Sequence, residues 1–110
     1  MDGKPVLEVV ADDEGILESL KSMGVNRIVA FSSEKVVYQY PTKTDVSDLT
    51  AFATSVLTIL NDSGPWLAFK QGLNSIIIFR KNGLVVAVEG AMSPADYDVI
   101  VMLVRLLNME

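Results

Sequence analysis

The catalytic repertoire of this chain is narrow, because it contains neither histidine nor cysteine. No Ser–His dyad, cysteine nucleophile, disulfide, zinc finger or His-ligated metal can be built from it. Carboxylates remain, in three groups: Asp12-Asp13-Glu14, Asp45 with Asp48, and Asp96 with Asp98. Each group stands at the start of a predicted helix, where negative charge caps free N–H groups and offsets the helix dipole. None has the spacing of a calcium loop. The seven glycines punctuate turns rather than forming a loop that cradles phosphate. The arginines are Arg27, Arg80 and Arg105. Arg80 stands beside the Asn82-Gly83 turn, where it can reach a phosphate or simply keep the surface soluble. These residues predict no catalytic site, no metal site and no cofactor. An enzyme would need carboxylate, Ser, Lys or Tyr chemistry at a cleft that the sequence does not reveal.

The bulk properties narrow the classes further. The 110 residues make one ordinary domain, long enough to bury a core without covalent staples. Residues 1–11 form an N-terminal extension to it whose structure and role are open. The net charge is −5 with no basic cluster, which argues against nucleic acid and against an anionic membrane surface. The longest apolar run, residues 99–104, is far short of the ~20 residues that span a bilayer. Asp12, Asp13 and Glu14 interrupt any long apolar stretch in residues 1–15, so no leader peptide is predicted. A cytoplasmic location is the default expectation.

The apolar spacing predicts the elements. Residues 5–11 are ambiguous between a short strand and the start of a helix. From Asp13, Ile16, Leu17, Leu20 and Met23 share a helical face that Gly24 is placed to end. Residues 25–31 and 36–40 read as strands joined by a turn at Ser32-Ser33-Glu34-Lys35, with Pro41 as the stop. Asp45 then precedes a helix in which Leu49, Phe52, Ala53, Val56, Leu57 and Leu60 recur at helical spacing, and the run Asn61-Asp62-Ser63-Gly64-Pro65 closes it. Strands follow at 66–70, 75–80 and 84–89. Asn82-Gly83 favours a type I′ hairpin turn between the last two. Ser93-Pro94 and Asp96 open a last helix that runs to about Asn108. The order α-β-β-α-β-β-β-α predicts an α+β domain with a five-stranded antiparallel sheet flanked by helices. Three strands are apolar on both faces (28–31, 76–79 and 85–88) and should be central. Gln39 and Lys70 mark the second and third strands as edges.

Three surfaces are less polar than solvent demands. Opposite the apolar stripe of the second helix lie Ser47, Ala51, Thr54, Ser55 and Thr58, and Asp48 is the only charge between Val46 and Ile59. A helix facing water usually carries Lys and Glu there, so a second copy or another partner is expected on this face. A weakly polar but solvated face is the alternative. The last helix is apolar all round over residues 99–104, which predicts cover on more than one side, either from its own sheet and first helix or from a partner. The third strand carries Trp66 and Phe69 near an expected edge, a template for pairing with another chain. Core packing of the two rings, with Lys70 as a guard of the edge, is the other possibility.

The element order resembles the roadblock family, named for a dynein light chain and allied to profilin-like and longin-like folds. The resemblance spans about residues 14–108. It is carried by Ile16-Leu17-Glu18-Ser19-Leu20 leading into Gly24-Val25, by the helix with Leu49, Phe52, Ala53, Val56 and Leu57, and by the pair of strands around Asn82-Gly83 followed by a helix. Many members carry Asp-Gly in the first hairpin, where this chain has Ser33-Glu34. The resemblance implies a homodimer, or a heterodimer with a roadblock-like protein, formed through the second helix and the third strand. It also implies a scaffold or regulator of a small Ras-like GTPase, with no arginine finger required. The alternative from fold class is a small-molecule sensor of the GAF or PAS kind, which would enclose a cavity for its ligand.

Overall fold

The computed structural model describes residues 12–33, 35–62 and 65–109, with the backbone alone at Asn61 and Asp62. The expectations for residues 1–11, Glu34 and Ser63-Gly64 lie outside these residues. Helix α1 (Asp13–Ser22) starts where Asp12 accepts a 2.8 Å hydrogen bond from the Gly15 N–H, and it buries Ile16 and Leu20. Gly24 reverses the chain at φ +99°, a conformation that a side chain disfavours. Strands β1 (Val25–Ser32) and β2 (Lys35–Tyr40) follow, then helices α2 (Ser47–Ser55) and α3 (Leu57–Asp62). Strands β3 (Trp66–Gln71), β4 (Asn74–Lys81) and β5 (Leu84–Gly90) complete the sheet. A 3₁₀ turn (Pro94–Asp96) leads into α4 (Tyr97–Leu106).

The five strands lie in the order β2-β1-β5-β4-β3, and every neighbouring pair is antiparallel. The doubly apolar strands β1, β5 and β4 are central, and β2 and β3 are the edges, as their sequences predict. Asn82 and Gly83 take φ values of 50° and 81°, the positive dihedrals of the expected I′ turn.

Both faces of the sheet are covered. Ile28, Ile77, Phe79 and Val88 face α1 and α4, where Leu20 and Ile100 meet them. Val29, Ile78 and Ala87 face the other way, under Leu49, Ala53 and Leu60 of α2 and α3. A polar pair fastens α4 to the sheet: the buried Ser75 hydroxyl lies 2.7 Å from the Tyr97 hydroxyl and 3.4 Å from the Met92 carbonyl. Buried hydroxyls need such partners.

Two expectations change. The second helix is not continuous, because Val56 leaves helical geometry (φ −109°, ψ 10°) and separates α2 from α3. The side chains of Thr54 and Ser55 donate to the carbonyls of Thr50 and Phe52, a backbone competition that bends helices. The last helix is also less covered than its apolar run predicts. Val99, Met102 and Leu106 are 43, 55 and 54% exposed, because a helix lying on one sheet face beside α1 keeps an outer flank open. No described helix is long and apolar enough to cross a membrane.

Candidate protein interface

The buried side of α2 rests on the sheet through Leu49 and Ala53. That leaves Ser47, Ala51, Thr54 and Ser55 exposed on α2, with Thr58 exposed on α3. Their chemistry is quieter than their composition implies. Thr54 Oγ1 donates to the Thr50 carbonyl at 2.8 Å, and Ser55 Oγ to the Phe52 carbonyl at 2.7 Å. Thr50 Oγ1 donates to the Ser47 carbonyl at 3.0 Å, and Ser47 Oγ to Asp45 Oδ1 at 2.7 Å. Each of these hydroxyl protons is thus satisfied locally. Of the five exposed residues, Ala51, Thr54 and Thr58 carry methyl groups, and all five side chains are small. Covering these four hydroxyls strands no donor, which lowers the cost of burying them. Small side chains also let a second helix approach closely, because interaxial distance follows the residues at the contact.

The structure separates the two aromatic residues expected on this surface. Phe69 packs edge-on against Phe52 of α2, with centroids 5.1 Å apart, and therefore joins the α2 face. Trp66 packs edge-on against Tyr97 at 6.0 Å, on the α1 and α4 side of the sheet. Side chains alternate along a strand, so positions 66 and 69 must face opposite ways. Both rings are half-buried by their own domain, but the outer edge of β3 has no strand beside it among the described residues.

One part of the surface was not expected. A bulge between Ala30 and Phe31 pairs Ala30 with Tyr38 and Phe31 with Val36, leaving Val37 as the extra residue. Val36 consequently joins Phe31, Thr50, Ala51 and Thr54 around an open groove of about 540 Å³ between α2 and β2. The consecutive pair Val36-Val37 carries no period-two signal that could have indicated which valine faces α2.

Arg27 holds this helix in place. Its Nη1 and Nη2 form a fork on the Asp48 carboxylate at 2.8 and 3.1 Å, Nε donates to Glu89 at 3.0 Å, and Nη1 also reaches the Asp45 carbonyl. The start of α2 is thereby tied to β1 and β5. Asp45 itself sits one residue further out than a formal cap and accepts from the Ser47 N–H at 2.9 Å. The two carboxylates hold the guanidinium pKa up against the opposing effect of its partial burial. The Arg27 hydrogen bond holds the Asp48 pKa down, and the Ser47 hydroxyl and N–H do the same for Asp45.

A depressed carboxylate pKa contributes stability that is present above its unfolded pKa, about 3.9. That stability is lost as pH falls through the lower folded pKa. Asp48 is largely exposed, so the effect is small, below about 1 kcal/mol. Urea midpoints of the wild type and Asp48→Asn are therefore expected to differ at pH 7 and to converge as the pH falls below the ordinary carboxylate range. A difference unchanged by acid would disprove the link.

Neither a protein-family model nor a curated protein matches the chain.

Proposed function

We propose that this chain is a non-enzymatic, roadblock-like scaffold or regulator of the cytoplasm. In this proposal it pairs with a second copy or a related chain through the outer face of α2 and the edge of β3, and the pair binds a small Ras-like GTPase. The observation that supports it is the α2 face, where Asp48 is the only charge, the hydroxyls of Thr50, Thr54 and Ser55 are satisfied within their own helix turn and that of Ser47 by Asp45. Phe69 and Val36 extend that face toward the two sheet edges. The sequence resemblance supplies the GTPase.

Two measurements test the parts separately. Sedimentation velocity at tens of micromolar is expected to show a dimer, and a monomer there would remove the pairing. A pull-down from the source lysate is expected to enrich a Ras-like GTPase, more strongly with either a GTP analogue or GDP. Recovery of no GTPase under either condition would remove that partner and leave the dimer standing.

A further inference from the structure

Helix α4 turns an apolar stripe and two charges outward. Val99, Met102 and Leu106 are exposed, and so are Asp98 and Arg105 beside them. Ile100 and Val104 are buried on the opposite side, against the sheet. Asp98 and Arg105 are seven residues apart, and so are Val99 and Leu106. Seven residues complete two turns to within about 20°, so each pair occupies one rim of the exposed side. One rim is charged, the other is apolar, and Met102 stands between them. Arg105 lies 4.7 Å from the centroid of the Phe79 ring and donates to the carbonyls of Arg80 and Pro65. Among the described residues neither Arg105 nor Asp98 has an ion-pair partner.

A second copy of the same helix supplies both missing partners, in one direction only. A two-fold axis through Met102 sets two α4 helices antiparallel, exchanges their ends and keeps like rims together. At a rise of about 1.5 Å per residue, Asp98 of one chain then stands level, to within one residue, with Arg105 of the other. The same holds for Val99 and Leu106 on the apolar rim. The two Met102 side chains meet on the axis, where flexible thioethers fill an irregular gap. A parallel pair would instead set each charged rim against an apolar one. We propose that α4 pairs with α4 of a second copy of this chain, antiparallel about Met102, with Asp98 and Arg105 bridging between the chains. The stripe is short. A helix of 10 residues is about 15 Å long, too little to reach the roughly 1,200 Å² of a standard interface. The pairing is therefore weak and belongs at several hundred micromolar. It lies across the sheet from α2 and does not depend on pairing there.

The absence of cysteine makes the geometry testable. Full-length Val99→Cys protein is mixed with full-length Leu106→Cys protein at several hundred micromolar and oxidised. A disulfide needs Cα atoms within about 7 Å, so the mixed disulfide is expected to exceed either self-linked species by roughly tenfold. Like positions stand about 9 Å or more apart along the paired helices. Met102→Cys, on the axis, is expected to link to itself faster than Thr42→Cys, which is exposed in the turn after β2. Charge exchange repeats the test without cysteines. In sedimentation velocity the wild type is expected to gain mass between tens and several hundred micromolar. Asp98→Arg and Arg105→Asp are each expected to lose that gain, and an equimolar mixture of the two to regain it, because every facing pair is then opposite in charge. Damage to the contacts that Arg105 makes within its own chain would not be repaired by mixing. A mixed disulfide no more abundant than the self-linked species, or a mixture that keeps the mass of its separate components, would overturn the proposal.

Discussion

Ala51→Glu is expected to convert the proposed dimer to a folded monomer at tens of micromolar. Ala51 is exposed on the outer face of α2 in the single chain, so the substitution removes nothing from the core and changes helix propensity by only a few tenths of a kcal/mol. In a dimer paired through α2 the same position would be covered by the partner, and each copy would bury an uncompensated carboxylate. Breaking buried pairs costs roughly 3–5 kcal/mol, equivalent to a 10²-fold or greater loss of affinity. Thr54→Glu tests the same patch one turn along. Its wild-type hydroxyl is already satisfied by the Thr50 carbonyl, so the loss would come from the added charge. Circular dichroism and sedimentation velocity together separate the outcomes. A variant that keeps its melting point but sediments as a monomer places the interface on α2. A variant still dimeric at the same concentration sinks that interface.

The second large effect concerns Gly90, at the end of β5. It pairs with Val25 on one side and Ser75 on the other. A Cβ placed there would stand 2.0 Å from the Gly24 carbonyl oxygen, 2.8 Å from the Asn26 nitrogen and 2.9 Å from the Val25 Cα. All three are backbone atoms of the α1–β1 junction, so no side-chain rotation relieves the clash. Gly24 is in the reciprocal position, with the Ala91 carbonyl oxygen 2.1 Å from its own ideal Cβ. Gly90→Ala must therefore push β5 away from the start of β1, a pair that joins two of the sheet's three central strands. The expected loss is about 4 kcal/mol or more, a large share of a typical stability of about 5–15 kcal/mol. Gly72→Ala provides the contrast. Its φ is +62°, but nothing lies within 4 Å of the added carbon, so only the backbone strain of about 1–2 kcal/mol applies. Urea unfolding followed by circular dichroism is expected to give Gly90→Ala a midpoint far below that of Gly72→Ala, which stays folded in buffer. Comparable midpoints for the two variants would contradict the close approach.

The candidate interface is partly legible in the sequence. The lack of charge on the outer side of α2 is a property of consecutive residues, and a helical period places Ser47, Ala51, Thr54, Ser55 and Thr58 away from the core. The separation of Trp66 from Phe69 is legible too, since three residues along a strand always means opposite faces. Arg27 is not, because its partners Asp48 and Glu89 are 21 and 62 residues away and nothing local distinguishes it from a solvated arginine. The break at Val56 is also hidden. It depends on Thr54 and Ser55 turning their hydroxyls back on their own helix, and a hydroxyl turned outward would have had the same sequence.

By itself the sequence determined the elements apart from the break at Val56, their order, and which strands lie inside the sheet. These follow from short-range physics: side-chain periodicity, the positive dihedrals that Asn82-Gly83 accepts, and the caps at Asp12 and Ser93. Only the tertiary structure decided the strand order β2-β1-β5-β4-β3, the bulge that sends Val36 rather than Val37 toward α2, and which flank of α4, apolar all round over residues 99–104, stays open. Those outcomes depend on register and packing between segments far apart in the chain. A local pattern can require that an apolar residue be covered, but it cannot specify which distant surface covers it.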